Sequence, residues 1–190
     1  MNRLAHVLSA VASPAVLVSL VLLSTPLRSP SATWGEAVVA TIFTTGIPWC
    51  VLAGMKWAGK VSDLHVTRRE QRWPLLLVCL ASLATGLLIL GMGMHSLSLV
   101  SEVSLVLLGL VLTGAVTLVW KISLHAAVAA YCALHVLAGS MLGAHVALCF
   151  VLIVAWSRVR IMHHTSTQVT AGAVVGALVS LVGWLLPHLG

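Results

Sequence analysis

Apolar residues run along this chain in stretches long enough for a helix to cross a hydrocarbon core, which takes roughly 20 residues, rather than in the short alternations of a half-buried strand. Polar residues, prolines and charges cut the sequence into seven such stretches, at 6–26, 37–55, 75–93, 99–120, 122–140, 143–160 and 168–186. The fifth and sixth are short and meet at Gly139-Ser140-Met141-Leu142-Gly143, which predicts a tight hairpin. The first follows Arg3 and has no small-residue cleavage site before Pro26 and Pro30, so it is read as a span rather than a signal peptide. No low-complexity tract or internal repeat interrupts the series. The expectation is an all-α polytopic transmembrane bundle of six to seven spans, one integral-membrane domain over residues 1–190. Gly172 and Gly176, within AGAVVGA, form a small-xxx-small pattern that allows close helix packing.

Composition agrees with this pattern and removes other classes. The 190 residues are 60% hydrophobic and 7% charged, with a mean hydropathy of +1.10, whereas soluble domains carry roughly 25% charged residues. So few charges cannot solvate a globule, which excludes a cytosolic enzyme, a secreted disulfide scaffold and a disordered tail. The net charge of +6 does not indicate a nucleic-acid partner, because no broad solvated basic face exists to carry one. The chain is expected in the cell membrane as a multi-pass protein. Cys50, Cys79, Cys132 and Cys149 each sit inside an apolar run without CxxC spacing and are read as small buried hydrophobes.

Polar groups are costly at membrane depth, so their clustering is informative. Three clusters stand out: KVSDLHVTRREQRWP from Lys60 to Pro74, KISLH from Lys121 to His125, and SRVRIMHHTSTQ from Ser157 to Gln168. Two predicted spans separate each cluster from the next, so alternation places all three at one membrane face, as a composite site requires. The first cluster supplies fixed positive charge through Arg68, Arg69 and Arg72, with Lys60 behind them; guanidinium groups bind phosphate oxygens bidentately. In the second, Ser123 fits a helix N-cap whose free N–H groups face an anion. In the third, the spacing of Ser157, His164 and Gln168 puts them on one face of a continuous helix, where Gln168 reaches His164. Arginines, lysines, the hydroxyls of Ser123 and Ser157, and two separated histidines suit phosphate transfer without a metal or other cofactor. One histidine attacks phosphorus and the other protonates the departing oxygen.

These residues resemble the motifs of the type 2 phosphatidic acid phosphatase superfamily, membrane lipid-phosphate phosphatases related to vanadium-dependent haloperoxidases: KxxxxxxRP, PSGH and SRxxxxxHxxxD. Ser157-Arg158, His164 and Gln168 reproduce the third motif except at its last position, where Gln replaces Asp. Ser123 and His125 keep the Ser and His of the second, with Ile122 and Leu124 in place of Pro and Gly. Arg72-Trp73-Pro74 is similar to the end of the first, although His65 stands where its Lys belongs. The resemblance covers about residues 56–180. It implies that His164 is the nucleophile, His125 the general acid, and Arg72, Ser123 and Arg158 phosphate ligands, with Gln168 orienting the nucleophile. The implied substrate is a lipid phosphate or diphosphate.

Plainer readings accompany these. His135 and His145 are expected to hydrogen bond between helices, Asp63 and Glu70 to pair with neighbouring arginines, and the basic stretch to attract anionic lipid. A rival class is a haem-binding electron carrier, since His125, His135 and His145 recur every ten residues. Helical rotation leaves successive members about 80° apart, which argues against axial pairs. A third reading is a non-catalytic lipid-phosphate binder that retains the fold.

Overall fold

Backbone groups in an apolar environment have no water to bond, so long apolar stretches satisfy them internally as helices. The computed structural model describes residues 2–60, 72–93 and 96–185, and every regular element among them is helical. In chain order these are α1 (Asn2–Val11), α2 (Pro14–Arg28), α3 (Trp34–Thr41), a π-helical turn at Ile42–Gly46 leading into α4 (Ile47–Trp57), α5 (Arg72–Gly93), α6 (Leu97–Val119), α7 (Leu124–Leu137), α8 (Met141–Arg160) and α9 (Ser166–Leu185).

Six stretches are long and apolar enough to cross a membrane: Arg3–Arg28, Trp34–Trp57, Pro74–Gly93, Leu97–Val119, Met141–Arg160 and Ser166–Leu185. In the most apolar window of each, only 17–28% of residues are buried, so most of their surface is left for lipid. The first stretch, predicted as one helix, is broken after Val11, because Pro14 disfavours helical backbone at Ser13 and starts α2 instead. The fifth predicted span shortens to α7, whose 14 residues reach about 21 Å against a hydrocarbon core of about 30 Å. Its alanines explain the difference, since Ala126, Ala127, Ala129, Ala130 and Ala133 are all buried against protein rather than presented to lipid.

The helices group into two compact units, with boundaries inside α2 and α6. The first comprises residues 2–21 and 108–185. In it α7 packs on α8 and α9, and α1 packs on α8. Its core joins Ala130, Ala133, Ala147 and Val151, with a second cluster of Ala12, Ala129 and Val154. Gly172 and Gly176 are where α9 meets α7: a Cβ at either position would overlap the carbonyl oxygen of Ser123 or Ala127, respectively. The small-residue pattern thus has a defined partner.

The second unit takes in residues 22–60, 72–93 and 96–107. Thr33 and Glu36 form a capping box at the start of α3, and the other carboxylate oxygen of Glu36 accepts the Ser96 N–H at 3.3 Å. Arg28 pairs with the buried Glu102 at 3.2 Å, and the hydroxyls of Ser29 and Ser98 lie 2.6 Å apart. Charges that look isolated in the sequence are therefore partnered across elements. All four cysteines are free thiols; only Cys132 is buried as expected, whereas Cys79 is half-buried and Cys50 and Cys149 are exposed on α4 and α8. His145 bonds through Nδ1 to the Met141 carbonyl at 2.6 Å, and His135 stacks on Tyr131. The His145 bond and the stacking of His135 on Tyr131 each join residues four apart on one helix.

Candidate functional site

The third polar cluster is not one continuous helix. α8 ends at Arg160 and the chain turns before α9 begins. The Met162 N–H bonds the Val159 carbonyl at 2.9 Å and the His163 N–H bonds the Arg158 carbonyl at 3.3 Å. This is a Schellman ending, with Met162 in the left-handed position usually held by glycine, at φ 57°. The turn, rather than a shared helix face, brings His164 and Gln168 together.

Thr165 and Gln168 then form a capping box for α9. The Gln168 N–H bonds the Thr165 hydroxyl, and the Thr165 N–H bonds Gln168 Oε1, each at 3.3 Å. The same Oε1 lies 3.2 Å from His164 Nδ1. An amide oxygen only accepts, so Nδ1 carries the proton and the lone pair of His164 is on Nε2. Burial first, then the Lys121 and Arg158 charges, push the His164 pKa from its ordinary 6.5 down to about 4, against the opposing Gln168 bond. At neutral pH this ring is uncharged and keeps its Nε2 lone pair.

The second cluster joins the third through two contacts. Lys121 Nζ donates to the His163 carbonyl at 2.7 Å, and the Ser123 N–H donates to the Gln168 carbonyl at 3.2 Å. The start of α7 and the α8–α9 turn therefore lie at the same end of their unit. Between them opens a cleft of about 370 Å³ lined by Lys121, His163, His164, Thr165 and Gln168, with Val159 and Met162 as its apolar edge.

Several expected ligands lie elsewhere. Ser123 caps α7 through its hydroxyl, which accepts from the Ala126 N–H at 3.4 Å, and it is fully buried. Ser157 is also fully buried, with its hydroxyl donated to the Val154 carbonyl at 2.7 Å. Both hydroxyls are spent on backbone groups of their own helices, Ser123 on an N–H that the start of α7 leaves open and Ser157 back-bonding one turn into α8. Arg158 is 2% exposed and directs Nη1 to Ser9 Oγ and Nη2 to His163 Nδ1 at 3.0 Å; its Nε is buried without a partner. It is walled off from the cleft by the residues it holds. His125 stands half-buried in the first turn of α7 and is not on the cleft wall.

Lys60 follows α4 and is exposed, in the other unit. Arg68, Asp63 and Glu70 lie outside the described residues, and of Arg72 only its place as the first residue of α5 is described. The geometry adds Lys121 and His163, which the motifs do not single out; the signal for both was their position beside motif residues. Among the described residues, no three His, Cys, Asp or Glu side chains are placed to hold a metal ion. No family model, curated protein or solved structure matches the chain.

Proposed function

We propose that the chain is a phosphatase of the cell membrane that hydrolyses a lipid phosphate or diphosphate, without a metal, through a phosphohistidine on His164. The lone pair of His164 Nε2 forms a bond to phosphorus as the bond to the lipid oxygen breaks. That oxygen takes the electron pair and a proton, and water then releases phosphate from the histidine. Lys121 stabilises charge on the phosphoryl oxygens, and the proton is assigned to His125, near the start of α7, on the motif resemblance.

One observation carries the reading: a neutral His164, oriented through Nδ1 by Gln168, shares a cleft with the Lys121 ammonium at the end of long apolar helices. A substrate reaching that cleft can keep its chains in the bilayer. The test is phosphate release in detergent from phosphatidate, phosphatidylglycerophosphate and polyprenyl phosphates and diphosphates. Release that persists in EDTA, is inhibited by vanadate and is lost in His164→Ala is expected. Near-normal release by His164→Ala, or activity that Mg²⁺ must restore, overturns it.

A second reading, a non-catalytic lipid-phosphate binder, is favoured by Gln168, whose oxygen is shared between His164 and the Thr165 N–H and lacks the charge that would stabilise a phosphohistidine. Vanadate binding without phosphate release from any of these lipids would select it.

A further inference from the structure

His163 and His164 are adjacent in one cleft, yet their hydrogen bonds impose opposite tautomers. His164 Nδ1 faces an oxygen that only accepts. His163 Nδ1 lies 3.0 Å from Nη2 of Arg158, and a guanidinium only donates and keeps its proton. His163 Nδ1 must therefore accept, which leaves its proton on Nε2. The cleft thus holds one imidazole with a lone pair on Nε2 and one with a hydrogen on Nε2, beside an ammonium.

Arg158 holds His163 twice, through its side chain and through its carbonyl, which accepts the His163 N–H at 3.3 Å. Lys121 holds the same residue from α7 through the His163 carbonyl. A residue held by one hydrogen bond at its ring and two at its backbone is pre-organised, and a fixed donor stabilises an anion without paying to reorient.

We infer that His163 is a phosphate ligand that donates through Nε2–H as a neutral imidazole, and that Arg158 is the positioning residue holding it in that tautomer. The inference rests on the reading of the cleft as a phosphate site. His163 is no proton donor in the reaction, because giving up its one ring hydrogen would leave an imidazolate; it contributes a hydrogen bond to a phosphoryl oxygen while His164 contributes the electron pair. The phosphate-binding role that the motif resemblance implies for Arg158 is then exerted through His163 rather than by direct contact.

The test uses the full chain in detergent with ¹⁵N-labelled histidine, with two-bond ¹H–¹⁵N spectra at pH 7 and rings assigned from His163→Asn and His164→Gln. His163 is expected protonated at Nε2 and His164 at Nδ1, and vanadate should shift the His163 Nε2 resonance. In His163→Asn, the amide oxygen replaces Nδ1 as acceptor for Arg158, so the fold is kept while the Nε2 donor is lost. Vanadate affinity should then fall about 10- to 100-fold, the range for a hydrogen bond to a charged group. A His163 protonated at Nδ1 overturns the inference. So does full vanadate affinity in a folded His163→Asn, which leaves the phosphate reading of the cleft standing. A wild-type protein that binds no vanadate overturns both, whatever the tautomers.

Discussion

His164 Nδ1 lies 3.2 Å from Gln168 Oε1, and that oxygen also receives the Thr165 N–H, so one amide both orients the imidazole and caps the helix behind it. The two roles separate by substitution. Gln168→Leu loses both, and turnover should fall about 10- to 1,000-fold, with about 0.5–1.5 kcal/mol of stability lost with the bond to the Thr165 N–H. Gln168→Asp restores an acceptor and a cap and adds a charge suited to a cationic ring, so turnover is retained or raised. A Leu variant as active as wild type beside an inactive Asp variant would show that position 168 only packs. Phosphate release and thermal melting in detergent measure the two effects independently.

The lowered pKa of His164 sets a pH profile. An ordinary histidine would give kcat/KM an acid limb near 6.5, whereas His164 should give one near 4. Because Lys121 is among the charges that hold it down, Lys121→Met should move the limb toward higher pH. The linkage has a definite sign. Between about 6.5 and about 4 the unfolded chain takes up a proton that the folded chain refuses. Stability therefore falls with acidification through this window and levels below it. An unmoved limb in Lys121→Met would remove Lys121 from the electrostatics of the ring.

Met162 tests the turn. Its left-handed backbone costs a non-glycine residue about 1–2 kcal/mol, and its side chain is 90% exposed, so little packing is lost when it changes. Met162→Gly should stabilise the fold by about 0.5–1 kcal/mol, while the β-branched Met162→Val should lower stability by a similar or larger amount. Melting temperatures that do not separate these variants would argue against the Schellman ending.

Close approach of α7 and α9 makes a fourth prediction. Gly176→Val places atoms where the Ala127 carbonyl stands and should cost at least about 1–3 kcal/mol, with loss of the Ser123 to Gln168 contact and of activity. Gly54 in α4 has nothing within 4 Å of an added Cβ. Gly54→Ala should be tolerated or stabilise by up to about 1 kcal/mol. Equal effects of the two would remove the packing explanation.

Hydrophobic pattern alone determined the membrane class and the helical character of the six long apolar stretches, because a 20-residue apolar stretch in lipid has essentially one way to satisfy its backbone. It also marked His164, Gln168 and the second and third polar clusters, since polar groups in such a chain are rare enough to be conspicuous. It did not show that α7 is short and enclosed, because alanine-rich sequence is as apolar facing protein as facing lipid and only the packing of α8 and α9 around it chooses. Nor did it separate Ser123, Ser157 and Arg158 from the cleft: spacing reports where a residue lies along a helix, whereas the two hydroxyls turn to backbone groups three residues away and Arg158 turns to Ser9, 149 residues distant, and to His163 across the turn. The turn at Met162, a left-handed residue with no glycine to announce it, is likewise a tertiary decision, held by the Lys121 and Arg158 bonds that converge on His163.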